Sequence, residues 1–263
     1  MKMATFSVAA LMFTSLASVH SHDAAPSMDS QQAGGVVLSQ EELEQAALAR
    51  AHVLAKYDAS GRVRPRNCTS DLRPKLPACK QATPFWCWAT GITDLDYFYN
   101  KSEDRTCKDI ECEVVSQQLG KDCCGSPMAS GCFMDAQTIK AITKMTKQYL
   151  QRDDVVTHTG PPSEDDLITL LEQNVPMMVI FQNAQGGGHV ELLGGCDPSP
   201  PYKLARNQNT YFIHDPMTDY WMNKTYEDLV TGYHIQPPWA YSHTRALRNS
   251  PIKKLCQAIL KKS

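Results

Sequence analysis

The period of the apolar residues changes once along this chain, and that change constrains the fold more than any other feature. Up to about residue 172, apolar positions recur three or four apart. Leu43, Ala47, Ala51 and Leu54 form one set, Ile139, Ile142, Met145 and Tyr149 another, and Leu167, Leu170 and Leu171 a third. Such spacing gathers side chains on one helical face. Three later runs, Met177–Gln182, His189–Leu193 and Thr210–His214, read as strands. Helices first and strands later, without βαβ alternation, predict an α+β fold whose sheet is antiparallel rather than parallel.

Local chemistry sets the expected element ends. Ser39 with Glu42 reads as a capping box that opens a helix running to about Tyr57. Trp86 to Tyr99 reads as a helix with a mainly apolar face, with Pro84 at a tolerated helix-start position. Asp135 is expected to cap a helix ending near Leu150, and Ser163 to cap the next. Residues 22–38, rich in Ser, Gln, Gly and Ala, read as a disordered stretch or linker, and the cysteine-dense 107–132 as loop. Ile252 to Lys262 has the pattern of a basic amphipathic helix with a solvated face. No internal repeat is present.

The N-terminus carries an address. Lys2 precedes an apolar run from about Ala4 to Val19, with small residues that offer cleavage after Ala17 or Ser21. The run is short for a bilayer span and reads as a secretory signal peptide over residues 1–21. Its removal leaves 242 residues, enough for one good core. Ten cysteines fit export, since disulfides persist outside the cytosol, and make structural zinc at Cys107, Cys112, Cys123, Cys124 and Cys132 the lesser reading. Adjacent Cys123 and Cys124 must take different partners. Sequons at Asn67, Asn100 and Asn223 are candidate glycosylation sites for the same compartment. A net charge of −2 with no basic stripe argues against nucleic acid as a partner. No later stretch suits a membrane helix. The expected organisation is a signal peptide (1–21), a propeptide or linker with one helix (22–66) and one large domain (67–263).

Four polar residues carry the chemistry. Cys87 lies where a loop turns into an apolar helix, between Trp86 and Trp88, and a thiol in a first helical turn feels the positive end of the helix dipole. Gln81, six residues earlier, has an amide that can donate to an oxyanion beside the Cys87 backbone N–H. His189 follows three glycines and opens a strand, which suits a base close to a substrate backbone. Asp215 ends a later strand before Pro216, where a carboxylate can fix the tautomer of a histidine on a neighbouring strand. Each has a bland alternative: a disulfide cysteine, a surface glutamine, a strand-edge histidine, an Asp-Pro turn. His214 and His158 rival His189, and Asp197 rivals Asp215. Alternation turns His214 to the opposite face of its strand from Asp215. No His-Glu-x-x-His, P-loop, dinucleotide fingerprint or Gly-x-Ser-x-Gly is present.

The order Gln81-x5-Cys87-Trp88, Gly187-Gly188-His189 and Tyr211-Phe212-Ile213-His214-Asp215-Pro216 resembles that of the papain-like cysteine peptidases. The nearest likeness is to the branch typified by bacterial avirulence effectors, through Cys87-Trp88-Ala89 and the downstream pair Cys123-Cys124, and bacteriocin-processing peptidases are a looser relative. The resemblance spans roughly residues 78–218. It implies a helical lobe carrying the nucleophile, packed on a mainly antiparallel sheet lobe. It assigns Cys87 as nucleophile, His189 as general base and acid, Asp215 as its orienter and Gln81 to the oxyanion hole. The activity implied is peptide-bond hydrolysis through an acyl-enzyme, on a protein or peptide substrate and with no cofactor. Acyl transfer to an amine by the same triad, and a non-catalytic secreted binding protein on this fold, are the alternatives. The compartment expected is extracellular or the lumen of the secretory or endolysosomal pathway.

Overall fold

The computed structural model describes residues 35–37, 39–59, 66–102, 104–129, 131–133, 137–182, 188–198, 208–218, 220–231 and 238–244. The expected signal peptide, the stretch 61–65, Asp135, Cys256 and the basic C-terminal segment lie outside them. In chain order the elements are β1 (Val36–Val37), α1 (Gln40–Ala59), β2 (Ser70–Asp71), α2 (Cys87–Asn100), α3 (Cys107–Leu119), β3 (Gln137–Thr138), α4 (Ile139–Tyr149), β4 (Val155–Thr159), α5 (Glu164–Glu172), β5 (Met177–Gln182), β6 (Gly188–Asp197), β7 (Thr210–Asp215), β8 (Tyr220–Thr225), α6 (Tyr226–Thr231) and β9 (Pro238–Thr244). The class is α+β. All the described strands join one open sheet in the order β3-β1-β6-β5-β9-β4, with β7 and then β8 continuing from β6 and β2 also pairing with it. Among the described strands only the β1–β3 pair is parallel.

The helix starts follow their caps. The Ser39 hydroxyl accepts from the Glu42 N–H while Glu42 accepts from the Ser39 N–H, which closes the expected capping box on α1. The buried face of α1 differs from expectation. Ala46 is buried and Leu43, Val53 and Leu54 pack on the core, whereas Ala47 and Ala51 face solvent. At α4 the cap is Thr138, three residues after Asp135, with its hydroxyl accepting from Ala141 N–H. Ile139, Ile142 and Met145 are buried as expected. Ser163 caps α5 through Asp166 N–H. Leu167 and Leu171 are buried there, and Leu170 is half-buried beside buried Ile168.

Two further expectations fail. Residues 107–119 are a helix, not loop: α3 opens with a Thr106–Asp109 capping box and closes on Gly120 in the left-handed region at φ 65°. Its weak amphipathicity hid it, because Glu111 and Cys112 stand among its buried positions. The end of the stretch 22–38 is not a linker, since Val36–Val37 form a strand between β3 and β6. Strands β4, β8 and β9 were also not foreseen. β4 and β8 are largely half-exposed and lack a continuous apolar run.

The cysteines staple this frame as Cys68–Cys196, Cys79–Cys107, Cys112–Cys124 and Cys123–Cys132. The adjacent pair takes separate partners, as its geometry demands. Cys87 is the free cysteine among the described residues. Four disulfides are compatible with an extracellular protein, and no helix among the described residues is long and apolar enough to cross a membrane.

Helix α2 is the centre of the packing. Every residue from Cys87 to Asp96 is buried, between α3 on one side and β6 on the other. Gly91 allows the close approach to the sheet: a Cβ there would lie 2.8 Å from Met178 Sδ and 3.1 Å from Val190 Cγ1. Thus the helix that begins at Cys87 rests directly on the strand that begins at Gly188.

Candidate active site

Cys87 is the first residue of α2, and Trp86, at the N-cap, offers no side-chain acceptor to the first turn. The N–H groups of that turn have no carbonyl one turn earlier in the helix, so they and the dipole face the thiol. The loop before it is held at several points. The Trp86 indole N–H donates to Cys132 O at 2.7 Å, and Phe85 meets Phe133 edge-on at 5.5 Å. Cys79 is bridged to Cys107 while its N–H donates to Asp94 at 3.0 Å. Ala82 N–H donates to Glu111 at 3.1 Å. Gln81 N–H donates to Pro216 O at 3.0 Å, which ties this loop to the turn after Asp215.

His189 and Asp215 meet at the mouth of two neighbouring strands, with Nε2 of the imidazole 2.8 Å from Oδ1 of the carboxylate. Asp215 Oδ1 also accepts from Met217 N–H at 2.9 Å, which fixes its rotamer. Cys87 lies close enough to the His189 ring to act on its charge. Burial works against the charged ring and is the largest single influence on it. The hydrogen bonds and charges of Asp215 and Cys87 together outweigh it and hold the His189 pKa well above 6.5.

Sequence reading passed over Glu191. It is fully buried, two residues after His189 on the same face of β6, and one step beyond the Leu192–His214 pairing, beside Asp215. Donor atoms of His189, Glu191 and Asp215 all lie within 4.8 Å of one another. A cation held by this set would have to displace the His189–Asp215 hydrogen bond. The spacing His-x-Glu in a strand was the available clue.

The rivals go elsewhere. His214 is fully buried on the opposite face of β7, 3.6 Å from the equally buried Asp94. Burial pushes the Asp94 carboxyl up while His214 pulls it back. His158 is exposed on β4, separated from β6 by β9 and β5. Asp197 lies at the far end of β6 from His189, close enough to Arg73 to act on its charge. Gln81 is nearly buried, and its amide donates to Thr83 O at 2.7 Å while Oε1 has no partner among the described residues. Glu111, under the same loop, also receives the Thr90 hydroxyl at 2.8 Å. Burial raises its pKa to about 7, against the pull of Thr90 and Ala82. Asn67, Asn100 and Asn223 are all exposed. Asn100 closes α2 with its amide on Asp96 at 2.7 Å, and Asn223 lies on β8.

No family model matches the chain, and no curated protein matches it significantly.

Proposed function

We propose that this chain is a papain-like cysteine peptidase that cleaves peptide bonds with Cys87, His189 and Asp215. The single observation that carries the reading is His189, bonded through Nε2 to Asp215 at 2.8 Å and close enough to Cys87, at the start of a buried helix, for Cys87 to act on its charge. In this reading the three serve as nucleophile, base and orienter.

In this reading the Cys87 proton passes to His189 Nδ1, and sulfur attacks the substrate carbonyl carbon. The carbonyl oxygen becomes an oxyanion facing the Cys87 backbone N–H, with the Gln81 amide alongside. His189, held by Asp215, returns the proton to the leaving amine as the C–N bond breaks and a thioester forms. Water, deprotonated by the same imidazole, then attacks the thioester, releasing the acid and regenerating the thiol. Asp215 holds the ring and stabilises its positive charge without taking the proton. The four disulfides favour an oxidising compartment, outside the cell or within the secretory pathway.

The test is digestion of a peptide library by the wild-type chain and by Cys87→Ala. Cleavage is expected from the wild type alone, with both proteins melting at similar temperatures. Equal cleavage by Cys87→Ala would overturn the assignment.

A further inference from the structure

Cys107 and Glu111 stand four residues apart on α3, so they project from the same face of that helix. Both grip the loop that carries Gln81. Cys107 is bridged to Cys79 at the start of the loop, and Glu111 accepts from Ala82 N–H through both carboxyl oxygens, at 3.1 and 3.2 Å. The Ala82 N–H belongs to the peptide group that follows Gln81. Holding it fixes the Cα from which the Gln81 side chain springs. The Gln81 amide itself has two N–H groups. The one donated to Thr83 O at 2.7 Å sets the amide plane and leaves the second as a donor.

Glu111 also reaches the Cys87 backbone. Its Oε1 receives the Thr90 hydroxyl at 2.8 Å, and the same hydroxyl is placed to donate to Trp86 O at 3.1 Å. Thr90 N–H donates to that carbonyl as well, at 2.9 Å. Trp86 C=O and Cys87 N–H are the two ends of one planar peptide group, so whatever holds the carbonyl aims the N–H. A hydroxyl has one proton to give. Burial raises the Glu111 pKa to about 7, and a protonated Glu111 donates to Thr90 Oγ1 and directs the Thr90 proton to Trp86 O. The chain from Ala82 N–H through Glu111 and Thr90 to Trp86 O then joins the Gln81 backbone to the Cys87 peptide without a break. Glu111, Thr90 and Trp86 are all buried, where such bonds are strongest.

We propose that Glu111 is the positioning residue of the oxyanion hole, holding the Gln81 amide through Ala82 and the Cys87 N–H through Thr90 and Trp86. It touches neither the substrate nor the reacting atoms. The inference rests on the peptidase reading above, which takes Gln81 and Cys87 as the oxyanion donors. Such a hole works when its donors are fixed before charge develops, because turning them in the transition state costs rate. One donor stands on a loop and the other at a helix start, and a single buried carboxyl on a third element locks the two together. The place of α3 is itself secured by the Cys79–Cys107 and Cys112–Cys124 bridges on either side of Glu111.

The experiment compares the wild type with Glu111→Met, Glu111→Gln, Thr90→Val and Thr90→Ser, all as the full chain. Three quantities are read: kcat and KM for a peptide that the wild type cleaves, and the rate at which iodoacetamide alkylates Cys87. Alkylation displaces iodide at a saturated carbon and forms no oxyanion, yet it uses the same thiol and the same imidazole. Removing one oxyanion donor outright lowers kcat by ~10²–10³, so Glu111→Met, which loosens two, is expected to lose about tenfold or more in kcat. KM and the alkylation rate should stay within about twofold, since neither depends on the oxyanion when chemistry is slow. Glu111→Gln keeps an acceptor for Ala82 and gains a donor for Thr90, and should retain kcat within about threefold. If Glu111→Met does not fold, Thr90→Val decides alone. It cuts only the arm to Trp86 O and should lower kcat by about threefold or more, while Thr90→Ser restores it. Loss of alkylation in step with kcat, or an unchanged kcat in both Glu111→Met and Thr90→Val, would overturn the positioning role and leave the peptidase reading standing. Cleavage of no member of a peptide library by the wild type would sink the peptidase reading and this role with it.

Discussion

His189 gathers the most consequences per atom. Its pKa is raised because Asp215 and Cys87 together overcome the penalty of burial. A raised histidine contributes stability in full below its ordinary pKa of about 6.5, and loses it as pH rises through the folded value. In the proposed mechanism the same proton goes to the leaving amine, so the alkaline limb of kcat/KM should lie above pH 6.5. In Asp215→Asn the ring loses a partner that raises it, and a pH–rate profile should show that limb displaced to lower pH. An unmoved limb would mean that another group holds the ring. The two neighbouring histidines should separate cleanly. His189→Ala should lose activity by several orders of magnitude with a small change in melting temperature. His214→Ala strips a buried partner from Asp94, 3.6 Å away, and should show mainly a lower melting temperature. Comparing kcat/KM and thermal melts of the two variants decides it.

At the scale of elements, the site is a junction of three: the start of α2, the start of β6 and the end of β7. The loop between the Cys79–Cys107 bridge and α2 is braced from beneath by Glu111 of α3. That carboxyl has a folded pKa of about 7 against an ordinary 4.5. Its folded form binds the extra proton, so stability should fall as pH rises from about 4.5 to about 7, by on the order of 3 kcal/mol at most from this group. Glu111→Gln cannot ionise and keeps an acceptor for Ala82 and Thr90. Its unfolding free energy, measured by denaturant titration at both ends of that range, should change less with pH than the wild type's. An identical slope in the two proteins would show that Glu111 is ionised throughout. Helix α3 was itself hidden in sequence. Its caps, Thr106 with Asp109 and then Gly120, were readable, but cysteine density argued for loop and prevailed.

At the scale of the whole molecule, four disulfides close loops of very different length. Cys68 and Cys196 are 128 residues apart, whereas Cys123 and Cys132 are 9 apart. In the chain-entropy account the long loop is worth about 5 kcal/mol and the short one about 2.5. Replacing both cysteines of each pair by alanine should therefore lower the unfolding free energy more for Cys68/Cys196, as denaturant titration would show. Much of this molecule is legible in its one-dimensional pattern, because helix caps, strand alternation and the Asp-Pro turn are decided within a few residues. The α+β class, the separate partners of Cys123 and Cys124, and the face of β7 that excludes His214 all follow from such local rules. Other features needed chain segments far apart in sequence to meet. Nothing near Glu191 says that Asp215 will lie beside it, since that depends on the register of β6 with β7. Nothing in the Gly- and Ser-rich stretch before α1 marks Val36 as a strand, because its hydrogen-bond partners are Gln137 and Gly188, about 100 and 150 residues away. A two-residue strand has no period to read, and only the open edges of β3 and β6 make it one.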